Sequence, residues 1–112
     1  MKIFNRIKKS DDFLVTIKKG KAYHRNEFTV HMYQTNLGYT RVGLSVSSKL
    51  GNAVVRNRIK RQLRAMCDSI LDYNARSVDI VIIVRSSFLQ GTFDGNKKNL
   101  FNLLNTQVGI KQ

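Results

Sequence analysis

A chain of 112 residues predicts one domain with a single core, and 42% hydrophobic residues exclude a disordered tail. Twenty Lys and Arg against seven Asp and Glu give a formal charge of +13. Self-repulsion of that size calls for an anionic partner, which leaves nucleic acid, an anionic membrane surface or an acidic protein.

Proline is absent, so element boundaries rest on glycine and polar clusters. Ser10, with Asp11 and Asp12 behind it, reads as an N-cap with acids set against the helix dipole. The short helix that follows carries Phe13, Leu14 and Ile17 on one side and stops at Gly20. Lysines and aspartates interrupt every apolar stretch of Met1 to Gly20, so it does not read as a signal peptide.

Glu27 to Tyr33 alternates, with Phe28, Val30 and Met32 opposite Thr29, His31 and Tyr33. Asn36 and Gly38 give the next segment a turn composition. Arg41 to Ser47 alternates again, setting Val42, Leu44 and Val46 against Arg41, Gly43, Ser45 and Ser47. Two alternating runs joined by a short polar loop predict an antiparallel hairpin, apolar on one face and polar on the other, with exposed backbone at Gly43.

Ser48 to Asn52 is a connection whose last residue can cap the next helix. From Val55 to about Leu71, at about 100° per residue, Val55, Ile59, Leu63, Met66 and Ile70 fall within an arc of about 80°, a core-facing stripe. Arg56, Lys60 and Arg64 stack away from that stripe, with Arg58 and Arg61 beside them. Val78 to Val84 is almost continuously aliphatic, which predicts a strand covered on both faces. Gly91 and Gly95 mark a loop, and Asn96 to Gln107 closes the chain as a helix. The order helix, strand, strand, helix, strand, helix predicts a small α/β sandwich around one sheet.

The basic helix is the main candidate for chemistry. Its five cations within nine residues repel one another, and only Asp68 and Asp72 follow to offset them. A solvated cationic face is the ordinary explanation. Four of the five are arginines, however, whose planar forks suit phosphate, and Asn57 stands among them as a two-way hydrogen-bonding group. In a domain this basic, nucleic-acid binding is the better reading.

The hairpin's polar face is the second candidate. Thr29, His31, Arg41, Ser45 and Ser47 would lie together, flanked by Phe13 and Ile17, a floor and edges suited to single-stranded RNA. An ordinary solvent face with Phe13 in the core fits the pattern equally well. Catalytic groupings are missing: His24 and His31 are the only histidines, and no glycine-rich phosphate loop appears. Cys67 has no cysteine partner for zinc or for an internal disulfide, which fits a reducing, cytoplasmic setting. No apolar run approaches the ~20 residues of a membrane span.

From Arg41 to Arg61, around Gly51-Asn52-Ala53-Val54-Val55-Arg56-Asn57-Arg58, the sequence resembles the protein component of bacterial ribonuclease P. The similarity reaches Arg6-Ile7-Lys8-Lys9 and Asp12-Phe13 upstream and Asp79 to Arg85 downstream. The resemblance implies a ribonucleoprotein that removes the 5′ leader from precursor tRNA, with Mg²⁺-dependent cleavage performed by the RNA subunit and no cofactor held by the protein. It also implies a left-handed crossover between parallel strands, here from the second strand through the basic helix to Val78–Val84. Carried over by position, Arg56, Asn57, Arg58, Lys60, Arg61 and Arg64 match the RNA-contacting helix, and Lys49 and Asn52 its approach loop. Phe13, Ile17, His31, Ser45 and Ser47 match the leader cleft.

Four positions depart from the pattern. Ile17 and His31 stand where aromatic residues are common, Ser48 where lysine is usual, and Ala65 where an acid is common. Base stacking is therefore expected to be weaker or differently placed. A ribosomal or ribosome-assembly protein would account for the charge and size but not for the Arg56-Asn57-Arg58 triplet. A self-sufficient nuclease would need an acid cluster or catalytic histidine that the sequence lacks.

Overall fold

The computed structural model describes residues 1–105. Three helices, α1 (Ser10–Lys19), α2 (Ala53–Ile70) and α3 (Phe93–Leu104), accompany four strands, β1 (Lys21–His24), β2 (Phe28–Gln34), β3 (Arg41–Ser45) and β4 (Val78–Val84). Short 3-10 turns occupy Ile3–Asn5, Ser48–Leu50 and Ser86–Gln90.

The sheet order is β1-β2-β4-β3, so β2 and β3 do not form the expected hairpin. β4 lies between them, antiparallel to β2 and parallel to β3. The reason is apolar content. β4 is buried along nearly its whole length and needs a neighbour on each edge and cover on each face, whereas β2 and β3 each offer a polar side. The β3–α2–β4 segment is therefore a crossover between parallel strands, as the resemblance implies. Outside β2 lies β1, which alternation does not reveal because four residues with a lysine and a histidine at the ends carry too little apolar signal.

One hydrophobic cluster joins Phe28, Val30, Val42, Ile80 and Ile82 of the sheet to Ile59, Leu63, Met66 and Ile70 of α2 and to Leu100 and Leu104 of α3. Val81, facing the opposite way, is buried but outside that cluster. On its side of the sheet lies α1, in contact with β2 and β4. Two glycines permit the approach. A Cβ on Gly20 would lie 2.6 Å from the Met32 carbonyl oxygen, and one on Gly43 would lie 2.7 Å from the Phe13 ring. Gly43 is consequently buried beneath Phe13 rather than exposed.

Several boundaries shift by a residue or more. Lys9, in extended conformation and without a side-chain bond, is the N-cap of α1, so Ser10 is the first helical residue and not the cap. Asn52 does cap α2, its carboxamide oxygen accepting from the Val55 amide at 3.1 Å, and the helix begins at Ala53. Thr92, whose hydroxyl accepts from the Gly95 amide, starts α3 at Phe93 and takes Gly95 into the helix. β3 ends at Ser45 instead of Ser47. The expected helix end at Gln107 lies outside the described residues.

The stripe on α2 behaves as its spacing requires: Ile59, Leu63, Met66 and Ile70 are buried and Val55 packs against them. Cys67 is fully buried beside the stripe, and burial pushes its thiol up to about 12, so it behaves as a small apolar residue. Leu63→Ala is expected to lower stability by about 2–5 kcal/mol, the transfer and cavity terms together. Urea unfolding should show an earlier midpoint at unchanged slope, while the folded protein keeps its RNA affinity. A variant that melts normally but no longer binds would put the helix on the wrong face.

Candidate nucleic-acid interface

The crossover places α2 so that its apolar stripe faces the sheet and its cations face outward. Arg58, Arg61 and Asn57 are exposed, and Arg56, Lys60 and Arg64 are half-buried. Among the described residues none of the five cations pairs with a carboxylate. The nearest acid on the helix, Asp68, instead accepts from the Tyr73 hydroxyl at 2.7 Å. Arg56 Nε is buried without an acceptor among the described residues. Burial, and then the like charge of Arg6, lowers the proton affinity of Arg64, although an arginine stays charged. Concentrated positive charge with unmet donors is a standing site for phosphate.

Lys49 and Asn52 lie at the approach to this helix, both exposed. Asn52 spends its carbonyl on the cap and keeps its amide donors for a ligand. Ser47 is not on the sheet face. It lies beyond β3, where its hydroxyl accepts from the Lys49 amide at 3.1 Å and shapes the turn that leads into α2.

The second region lies on the α1 side of the sheet. Register sets Thr29, Ile83 and Ser45 in one row and His31, Val81 and Gly43 in the next. The polar residues of β2 and β3 are thus separated by β4, and the floor between them is aliphatic, with Ile83 half-buried and Val81 buried. Phe13 and Ile17, one helical turn apart and both half-buried, line the α1 side. The Phe13 ring rests on Gly43.

Thr29 is the polar hub of this region. Its hydroxyl accepts from Arg85 Nε and Nη2 at 3.0 and 2.8 Å and meets His24 Nδ1 at 3.2 Å. Those contacts hold an exposed guanidinium at the upper end of the cleft. His31 Nδ1 is enclosed and finds no hydrogen-bond partner among the described residues. Burial, and then the neighbouring His24, lowers the affinity of His31 for a proton, so the ring is neutral at pH 7. A neutral imidazole on an apolar floor is a stacking surface as well as a hydrogen-bonding one.

Arg41 does not join this cleft as a free cation. Its Nε and Nη2 grip both Asp79 oxygens at 2.9 and 2.6 Å, and Nη1 reaches Asp12 at 3.3 Å. Sequence reasoning missed Ile83, Arg85 and His24 as cleft residues. Alternation along β4, read as Asp79, Val81, Ile83 and then Arg85, is the signal that finds the first two. His24 follows only once β1 is known.

A cation-lined helix with unmet donors on one face of the sheet, and on the other a shallow apolar cleft edged by hydroxyls, imidazoles and one anchored guanidinium, define a small RNA-binding α+β protein. The family model described as Ribonuclease P matches residues 1–107. The ribonuclease P protein component of Mesoplasma florum is 43% identical over 99 residues, covering 88% of this chain and 90% of that protein. That of Bacillus cereus strain 03BB102 is 41% identical over 113 residues, covering 100% and 97%. The RNase P protein structures of Staphylococcus aureus and Thermotoga maritima superpose with a TM-score of 0.79 each, at 34% and 30% identity. They cover 91% and 93% of this chain, and 94% and 98% of their own.

The chain belongs to the family of ribonuclease P protein components. Its function is that of the RNA-binding subunit of a tRNA-processing endoribonuclease, in partnership with the ribonuclease P RNA, which carries the catalytic role. A free-standing ribosomal or assembly protein is not favoured.

Proposed function

We propose a division of labour between the two regions. The exposed face of α2, from Arg56, Asn57 and Arg58 through Lys60, Arg61 and Arg64, with Lys49 and Asn52 at its approach, grips the ribonuclease P RNA. The cleft formed by Phe13, Ile17, His31, Ser45, Thr29 and Ile83 holds the single-stranded 5′ leader of precursor tRNA. The observation that carries this reading is the cleft's composition: an aliphatic floor under a Phe13 ring seated on Gly43, edged by hydroxyls and the Arg85 guanidinium. Bases stack on such a surface while phosphates meet its donors. The two acids nearest the cleft, Asp12 and Asp79, are committed to Arg41 and are poorly placed to act as a base. The protein therefore contributes substrate affinity, and Mg²⁺ enters the cytoplasmic holoenzyme through the RNA. No helix among the described residues is long and apolar enough to cross a membrane.

Phe13→Ala is expected to weaken holoenzyme binding of leader-bearing precursor tRNA by about 1–3 kcal/mol, the usual worth of one stacked base. Mature tRNA, with no leader to stack, should bind as before. Arg58→Ala should instead weaken assembly with the catalytic RNA and so depress both substrates alike at limiting protein. Fluorescence anisotropy of both RNAs against both variants makes the comparison. Equal losses for precursor and mature tRNA with Phe13→Ala would show that the ring serves only the core.

A further inference from the structure

At the opposite end of the sheet from Thr29 and Ser45 lies a cavity of about 490 Å³. It opens where α1 ends and where β2 and β4 meet, and its walls include Lys19, Lys21, Arg76, Tyr23, Tyr33 and Gln34. Gln34 is five residue steps along β2 from Thr29, which at about 3.3 Å each sets the cavity roughly 15–20 Å from the cleft's upper row. The basic start of α2 follows β3 at that upper end, so neither RNA-binding region accounts for this second concentration of charge.

Three cations converge here from three different segments, and all three are exposed. Among the described residues none pairs with a carboxylate, and no acid lines the cavity. The C-terminal end of α1 gives Lys19 a favourable dipole, which explains that residue but not Lys21 or Arg76. The half-buried Tyr23 ring, on the same face of the sheet as Lys21, and the Gln34 amide supply flat apolar surface and hydrogen-bonding edges beside the charge. The contrast with a second large cavity is instructive. That one, about 600 Å³ beside the N-terminal turn, sets Asp68 and Asp72 against the N-terminal amine and Lys2 and so carries no such excess of positive charge.

We propose that the cavity bounded by Lys19, Lys21, Arg76 and Tyr23 binds a nucleotide of single-stranded RNA, its phosphate among the cations and its base on the Tyr23 ring. Cations without acids, set beside an aromatic ring in a recess of nucleotide size, recognise a ribonucleotide segment through phosphate and π-face together. The RNA is supplied either by the distal part of a long leader or by a loop of the catalytic RNA. This inference rests on the chain being an RNA-binding subunit and extends it to a third contact.

The test uses reconstituted holoenzyme and precursor tRNAs with leaders of about 4 and about 16 nucleotides. The variants are Lys19→Ala/Lys21→Ala/Arg76→Ala and Tyr23→Leu, checked by circular dichroism, with Phe13→Ala run in parallel. If the leader is the source, both new variants should lose about fivefold or more in affinity for the long-leader substrate alone. The triple variant should also flatten the salt slope by about two. If the catalytic RNA is the source, the same losses should appear in protein–RNA assembly and be independent of leader length. Unchanged affinities in all three titrations, with Phe13→Ala still selective for leader, would overturn this site and leave the cleft assignment standing. A Phe13→Ala variant that also loses nothing would instead bring down the cleft itself.

Discussion

Replacing Arg41 with alanine is expected to destabilise the protein by about 3–5 kcal/mol, because the change strands a buried carboxylate. Asp79 is only 3% exposed, and Arg41 is its bidentate partner at 2.9 and 2.6 Å. Hydrogen bonding to Asp79 raises the proton affinity of the guanidinium against the opposing effect of burial, so Arg41 keeps its charge in the fold. The same guanidinium reaches Asp12 in the first turn of α1, fastening that helix to β3 and β4. Arg41→Ala should therefore also loosen the α1 wall of the cleft and weaken leader binding in the molecules that remain folded. Guanidinium unfolding measures the first effect, and precursor-tRNA titration below the transition measures the second. Combining Arg41→Ala with Asp79→Leu should recover much of the lost stability, since replacing both partners leaves no unpaired charge. A single-variant loss below about 1 kcal/mol would mean that Asp79 reaches water once Arg41 is gone.

The Arg41–Asp79 pair also shows where sequence reading stops. Alternation assigns Arg41 to the polar face of its strand, which is correct, but makes it a free cation beside His31. Only the insertion of β4 between β2 and β3 brings Asp79 opposite Arg41 and turns that cation into a structural tie. Neighbours in sequence look like neighbours in the sheet because a short polar loop favours a hairpin. Here the demand of the most apolar strand for two partners overrides that preference. The clue was present in Val78–Val84, which cannot sit at an edge. By contrast α2 was legible almost in full, from the Asn52 cap to the buried stripe, because cap chemistry and a long period of 3.6 leave few alternatives. The cleft was half-legible. Phe13 and Ile17 follow from helix spacing, but the aliphatic floor and the Thr29–Arg85 contact depend on strand order. Alternation alone carries the strand on to Ser47, whereas β3 ends at Ser45 and the Ser47 hydroxyl is taken up by the turn.

Removing three cations from α2 at once should have the largest effect on binding. In Arg56→Ala/Lys60→Ala/Arg64→Ala the affinity for the ribonuclease P RNA should fall, and the slope of log K against log salt should flatten by about two to three units. Each lost phosphate contact no longer releases its condensed counterion, so the slope reports contacts directly where a bare affinity does not. These three are half-buried side chains held along one ridge, and Arg56 Nε and the Arg64–Arg6 pairing show donors and charge waiting for an anion. Relief of that repulsion means the free protein should be no less stable, and possession of the buried stripe keeps the far-UV spectrum unchanged. Asn57→Ala offers the internal control. An uncharged residue that meets a base or sugar should weaken binding at every salt concentration by a constant factor and leave the slope alone. If the triple variant kept the parental slope while losing affinity, the helix would be touching RNA through something other than phosphate. A parental slope with parental affinity would mean that the RNA lies on another face of the protein.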